Sequence, residues 1–175
     1  MAGRVSFYNS KRTQTKLIVS LCPGIHLRKL QKALGASFTT TRYHVENLER
    51  DGEIVRSKDG RYDRLYPVGT ADTMKAVFAV VQSKTARKIL QTLADSDQHE
   101  LTNSDLFELT NLPRSTISEC VTQLSSALLV RRSVKADGRI LYELQDREEV
   151  TRLLAVFHKN MLTLAADSFV DLWDF

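Results

Sequence analysis

The chain has 175 residues, of which 42% are hydrophobic and 26% charged, and it carries a net charge of +4 with a pI near 9.1. That is the composition of a globular chain; no run of 18 or more apolar residues is present and the N-terminus lacks a charged-then-apolar leader, so a membrane span and a secretory signal are excluded and a cytoplasmic protein is expected. With only two cysteines, Cys22 and Cys120, in apolar or helical contexts, reduced thiols fit better than a disulfide framework, although Cys22 also qualifies as a redox or metal sensor.

The N-terminal stretch holds Arg4, Lys11, Arg12 and Lys16, either as a flexible solvated arm or as an extension of a basic surface. Leu27, Leu30 and Leu34 then recur at helical spacing, and Gly35 stands where a helix end wants a positive φ. Ser37 is placed to cap a following helix over 38–51, whose buried stripe is Thr41, Val45 and Leu48 and whose stop is Asp51-Gly52. Advancing about 100° per residue from Val45, the opposite face carries Thr39, Thr40, Tyr43, Glu46, Asn47 and Arg50, with Arg42 at its edge. These side chains can hydrogen-bond base edges and phosphates; His44, nearer the stripe, is either a packing residue or a further reader. Two strand-like runs, Ile54 to Lys58 and Arg61 to Tyr66, flank Asp59-Gly60, a strong hairpin signal. This hairpin, over 54–66, carries Arg56, Lys58, Arg61 and Arg64. Helix, turn, helix and basic hairpin in that order spell a winged helix, with helix 38–51 as the reader.

Pro67 to Thr70 break the chain, and Met74, Val77, Phe78 and Val81 mark a connecting helix over 71–82. A second copy follows over 83–145. Ala86, Ile89, Leu90 and Leu93 stripe its first helix, Leu106 and Leu109 mark its second, and Pro113 stands at the start of its third, where Ile117, Val121 and Leu124 repeat the spacing of Thr41, Val45 and Leu48. Strands Val130 to Lys135 and Arg139 to Leu144 surround Ala136-Asp137-Gly138. Candidate nucleic-acid contacts in this copy are Arg114, Ser115, Ser118, Arg131, Arg132, Lys135 and Arg139. The last segment, 146–175, has neither Pro nor Gly up to about Asp171 and reads as one long helix with an apolar stripe through Val150, Leu153, Leu154, Phe157, Met161, Leu164 and Phe169.

The string TTTRYHVENLERDGEIVR, with GIHLRKLQKALG before it, resembles the recognition helix and wing entry of prokaryotic winged-helix regulators of the arsenic-repressor and multiple-antibiotic-repressor kinds. The whole arrangement, from about Lys16 to Glu143, is similar to that of archaeal transcriptional regulators with two such domains in tandem. The resemblance implies DNA binding through Thr39, Thr40, Arg42, Tyr43 and His44. The stripe of the terminal helix either folds back on the second winged helix or pairs with another copy, and the resemblance implies that the helix serves dimerisation, through Leu153, Leu154, Phe157, Met161, Leu164 and Phe169. The second copy departs from the pattern at RSTISECVTQL, where Glu119 stands in place of a basic or amide-bearing reader.

Charge is distributed unevenly: residues 1–70 hold 13 Lys/Arg against 6 Asp/Glu, residues 71–145 hold 9 of each, and residues 146–175 hold 3 against 6. A net of +7 on the first domain is the footprint of a phosphate-binding surface. The four histidines show no metal-ligand spacing, and Gly-rich phosphate loops, HExxH and GxSxG are missing, so neither an enzyme nor a cofactor or metal is expected. The sequence thus predicts a mostly helical α+β protein of two tandem winged helices plus a long C-terminal helix, a homodimeric, nucleoid-associated transcriptional regulator acting on double-stranded DNA. The rival reading is a tandem winged-helix scaffold for protein contacts in a chromosome-associated or other complex.

Overall fold

The computed structural model describes residues 10–60 and 62–170, the last six of these as backbone only. The fold is mostly helical α+β. Its contacts divide it into two units: 1–75 with 157–175, and 76–156.

The first unit opens with α1 (Lys11–Leu21), capped by the Ser10 hydroxyl on the Thr13 amide. This corrects the reading of Lys11, Arg12 and Lys16 as part of a solvated arm. Its inner stripe is Thr15, Ile18 and Val19, followed by Cys22, and the polar Thr15 hides the pattern; the Thr15 hydroxyl is satisfied internally by the Lys11 carbonyl at 2.6 Å. Strand β1 (Ile25–His26) is only two residues long and leads directly into α2 (Leu27–Leu34), which ends at Gly35 with φ +57°. Ser37 caps α3 (Phe38–Arg50), its hydroxyl accepting from the Thr40 amide, so the helix stops one residue short of the expected Asp51, which becomes its C-cap. Strands β2 (Ile54–Asp59) and β3 (Tyr62–Pro67) pair antiparallel from Ile54↔Pro67 to Asp59↔Tyr62, and β1 adds to the other edge of β3 through Ile25↔Leu65 and His26↔Arg64. The three helices pack on one another around Ile18, Val19, Leu30, Leu34, Val45, Leu48, Ile54 and Leu65.

Helix α4 (Asp72–Val81) follows, and of Met74, Val77, Phe78 and Val81 only Val81 is buried. The second unit repeats the order of elements: α5 (Lys84–Asp95), β4 (Leu101–Thr102), α6 (Asn103–Thr110), α7 (Arg114–Ser126), β5 (Val130–Val134) and β6 (Ile140–Leu144). Its sheet has the order β4-β6-β5, as the first has β1-β3-β2. Ala86, Ile89, Leu90, Leu93, Leu106, Ile117, Val121 and Leu124 are buried as their spacing predicts. Leu109 is not: it is 60% exposed, and Leu106 with Thr110 forms the inner side of α6 instead. Pro113 serves as the N-cap residue of α7 rather than its first helical residue.

Helix α8 (Arg147–Val170) is the long terminal helix. In the second unit Val150 and Leu154 are buried and the Arg147 guanidinium donates to the Ala94 and Ser96 carbonyls. In the first unit Phe157 is buried, Met161 and Leu164 lie against the core, and the Asn160 amide donates to the Leu21 carbonyl at 2.8 Å. Most of the stripe is therefore covered within one chain, which corrects the assignment of Leu154, Phe157, Met161 and Leu164 to a dimer seam. Phe169 lies outside the residues whose side chains are described.

The start of α2 depends on a titratable cap. His26 Nδ1 accepts from the Lys29 amide at 3.2 Å, which requires a neutral ring. Burial, followed by the charges of Arg64, Lys29 and Arg28, holds the His26 pKa below its usual value of 6.5. The unfolded chain therefore binds the proton more readily than the folded one. This contribution to stability is complete above pH 6.5 and is lost as pH falls below it towards the folded pKa. Urea midpoints measured between pH 7.5 and 5 are expected to fall more steeply for the native chain than for His26→Asn, which keeps a capping group without the titration; parallel curves would refute the role.

Candidate nucleic-acid interface

Burial of Thr41, Val45 and Leu48 turns the other side of α3 outwards. Thr39, Thr40, Arg42 and Tyr43 are exposed there, Tyr43 to 61%, and Glu46 and Arg50 are exposed further along. Asn47 is half-buried. His44 is also half-buried, its ring edge-on to Tyr43 at 5.3 Å, and its Nδ1 atom is buried with no hydrogen-bond partner. Arg42 is not an independent cation, because its Nε donates to Glu46 at 2.7 Å, a bond that holds the Glu46 carboxyl below its ordinary pKa.

The wing differs more from its expected form. Arg56 donates through Nε and an Nη to the two oxygens of Glu49 on α3, at 3.0 and 2.6 Å, with Asp63 3.5 Å away. This fork-on-fork pair, first through its hydrogen bonds, raises the Arg56 pKa, and it commits the guanidinium to joining wing and helix. Arg64 is turned into the fold, its side chain only 14% exposed; it donates to Asp59 at 2.5 Å and to the Gly24 carbonyl at 3.0 Å. Lys58 alone of the expected wing cations is exposed and without a partner among the described residues; Arg61 lies outside them. The N-terminal cations are likewise engaged: Lys11 donates to the Leu34 carbonyl, Arg12 pairs with Asp51 and Glu53, and Lys16 pairs with Glu53, while Arg4 is outside the described residues.

Sequence reasoning missed a second source of charge on α2. Arg28 and Lys32 stand one helical turn apart, exposed, and carry no partner among the described residues. They are visible in LRKLQKAL as the residues that fall off the Leu27-Leu30-Leu34 stripe. His26, at the start of the same helix, stacks on Tyr62 of the wing at 5.4 Å and 28°, so α2 and the wing tip are held together. Among the described residues, the unpaired cations of the first unit are thus Arg28 and Lys32 on α2, Arg50 on α3, Lys58 on the wing and Lys159 on α8.

In the second unit the face of α7 is rich in hydroxyls, with Ser115, Ser118 and Glu119 exposed. Arg114 donates to the Ser104 hydroxyl and lies over the Phe107 ring at 5.3 Å. Arg131 pairs with Glu143, Lys135 approaches Glu100 at 3.6 Å, and Arg139 pairs with Asp137, whereas Arg132 is exposed and unpaired among the described residues. Neither cysteine is poised for chemistry. Cys22 is 1% exposed and donates to the Met161 sulfur at 3.4 Å, and burial, then Glu119, pushes the Cys120 thiol up to about 11. Among the described residues no group of three His, Cys, Asp or Glu is arranged to hold a metal, and no helix is long and apolar enough to cross a membrane.

A family model described as an N-terminal HTH domain matches residues 9–78. This segment is the helix-turn-helix and wing of the first unit, together with most of α4. The curated proteins include no match. Among solved structures, the chain is similar to FabT of Streptococcus pneumoniae, determined in complex with DNA, at 15% identity over 71% of this chain and 78% of that one, with a TM-score of 0.33. It is similar to the transcriptional regulator SlyA at 17% identity over 70% and 82%, with a TM-score of 0.33. A third likeness, to ScpB from Mycobacterium tuberculosis, has 15% identity over 82% and 93% and a TM-score of 0.32.

The position of Arg64 yields a test of its structural role. Arg64→Gln leaves the Asp59 carboxylate and the Gly24 carbonyl short of a charged donor, and is expected to lower stability by about 1–3 kcal/mol in urea denaturation. A loss within the scatter of an exposed control, Lys58→Gln, would show that the pair contributes nothing measurable.

Proposed function

We propose that the chain is a DNA-binding transcriptional regulator in which α3 of the first unit reads a specific duplex sequence. The observation that carries this reading is the outward face of α3, with Thr39, Thr40, Arg42 and Tyr43 exposed, inside a segment matched as an HTH domain. B-form DNA admits a helix to its major groove, and Arg and Asn can bond base edges there, whereas lysines and arginines around the helix meet phosphates. Arg28 and Lys32 on α2, Arg50 on α3 and Lys58 on the wing supply the phosphate contacts. Arg56 and Arg64 keep wing and helix in register. His44 supports the same face, its unpartnered Nδ1 lying beside Tyr43. The scaffold reading is not preferred, since it calls for neither an HTH segment nor unpaired cations beside its helix.

Fluorescence titration with duplex DNA tests the proposal. Arg42→Ala or Asn47→Ala is expected to cost roughly 1–3 kcal/mol on a selected site and much less on random duplex, and Lys58→Ala to weaken binding to both and flatten the salt slope by about 0.9. Equal losses on selected and random duplex for both α3 variants would remove their base-reading role.

The same reading includes a homodimer on an inverted repeat, the two α3 helices lying about 34 Å or a multiple apart. Because Leu154 and Phe157 are buried within the chain and Met161 and Leu164 face its core, the seam falls to the uncovered side of α8, where Leu162 is 57% and Val156 52% exposed. Light scattering is expected to give twice the 19.9 kDa chain mass for the native protein and a monomer for Leu162→Glu with an unchanged melting temperature. A native chain that is monomeric at tens of micromolar would remove the dimer.

A further inference from the structure

Among the differences between the two units, one falls on a pair of corresponding positions that holds an ion pair in the first. When the stripes Thr41, Val45, Leu48 and Ile117, Val121, Leu124 are superimposed in sequence, Glu49 corresponds to Ser125 and Arg56 to Arg132. In the first unit this position is filled by the Glu49–Arg56 ion pair. In the second the carboxylate is replaced by a serine, and an open groove of about 330 Å³ lies between α7 and the sheet, lined by Ser118, Thr122, Ser125, Arg132 and Tyr142 among others. No carboxylate lines it. The Arg132 guanidinium and the Tyr142 hydroxyl have no partner among the described residues, and Ser125 Oγ is buried with none. Ser118 Oγ accepts from the Asn103 amide at 2.9 Å and so keeps its own proton to donate. The hydroxyls of Thr122 and Ser126 point back to the Ser118 and Thr122 carbonyls and offer only lone pairs.

A buried hydroxyl without a partner is costly unless something outside the chain satisfies it. Here the unsatisfied groups are all donors, they are grouped around one unpaired guanidinium, and the groove contains no competing anion. A planar guanidinium flanked by hydroxyls matches a tetrahedral oxyanion, whose several oxygens each accept. We propose that this groove binds a phosphate group, donated either by a small phosphate monoester or by a nucleic-acid backbone. The site stands apart from the reading by α3, since it uses no residue of the first unit.

Isothermal titration of the full chain with inorganic phosphate, in phosphate-free buffer of low chloride content, is expected to show saturable binding. Arg132→Gln should weaken it by about tenfold or more, and Ser125→Ala and Tyr142→Phe by a few-fold each. Arg131→Gln, on the same strand but paired with Glu143, should leave it unchanged. No saturable binding well into the millimolar range, or equal losses in Arg131→Gln and Arg132→Gln, would overturn the site. Adenosine monophosphate and random duplex DNA separate the two sources. A small monoester as occupant predicts that adenosine monophosphate competes with phosphate through Arg132 while duplex affinity is the same in Arg132→Gln. A backbone phosphate predicts instead that Arg132→Gln flattens the salt dependence of duplex binding and that adenosine monophosphate binds no tighter than phosphate. Because the difference between Arg132→Gln and the native chain reads the second unit alone, its absence leaves the α3 proposal standing, and failure of the α3 variants leaves this one.

Discussion

The burial of Val45 and Leu48 against Ile18, Val19 and Leu30 is the constraint on which the first unit depends. A helix has only one rotation about its axis that hides a given stripe, and hiding this one removes from water two large side chains worth on the order of 1.5–3 kcal/mol each. Once that rotation is set, Thr39, Thr40 and Tyr43 have no direction left except outwards. The Thr41 hydroxyl, buried with the stripe, is satisfied by the Ser37 carbonyl of its own helix, so the polar residue in the core leaves no open bond. The reading surface is in this sense a by-product of packing.

The wing is held by charge as well as by the apolar burial of Ile54, Leu65 and Tyr66. Glu49 grips Arg56, Asp59 and the Gly24 carbonyl grip Arg64, and His26 stacks on Tyr62, so the hairpin is tied to α3, to the turn before β1 and to the start of α2. Exposed ion pairs are generally weak, but Arg64 is largely sheltered and Arg56 is bidentate, the two circumstances in which such pairs hold a geometry. Pairing does not lower the net charge of +7 over residues 1–70, since each ion pair cancels one cation against one carboxylate; it decides where the excess lies. Arg12, Lys16, Arg42, Arg56 and Arg64 are taken up in pairs, and the unpaired cations among the described residues of this segment lie on α2, α3 and the wing tip, of which the sequence pointed to the last two but not to α2.

The second unit shows how one architecture carries different chemistry. Its α7 presents hydroxyls and Glu119 where α3 presents threonines, a tyrosine and an arginine, and its wing arginine at 132 has no acidic partner on the helix. Ser125 in the place of Glu49 is a small change in volume and a large one in electrostatics: it trades a closed ion pair for a free cation and an unsatisfied hydroxyl. Helix α8 is the other departure from a plain repeat. Its long apolar stripe is taken up within the chain through Val150, Leu154 and Phe157, and only its opposite side remains uncovered.

Local signals in the sequence determined the elements that carry their own punctuation. Ser37, Gly35, Asp51-Gly52 and Asp59-Gly60 placed the end of α2, and α3 and the wing, to within a residue, because caps and tight turns are set by the residues that form them. The stripe of α3 was legible for the same reason, and with it the exposed face. Tertiary structure alone decided the rest. Strands β1 and β4 are two residues long and exist only because β3 and β6 offer an edge. Helix α1 hides behind a buried threonine, and Leu109 faces water although its spacing suits a core. Above all, a sequence counts Arg56, Lys58 and Arg64 as equal charges. Whether a cation is free depends on which carboxylate folding brings within about 3 Å of it, and even for Glu49–Arg56 and Asp59–Arg64, close in the chain, that distance is set by how helix, strands and turn meet.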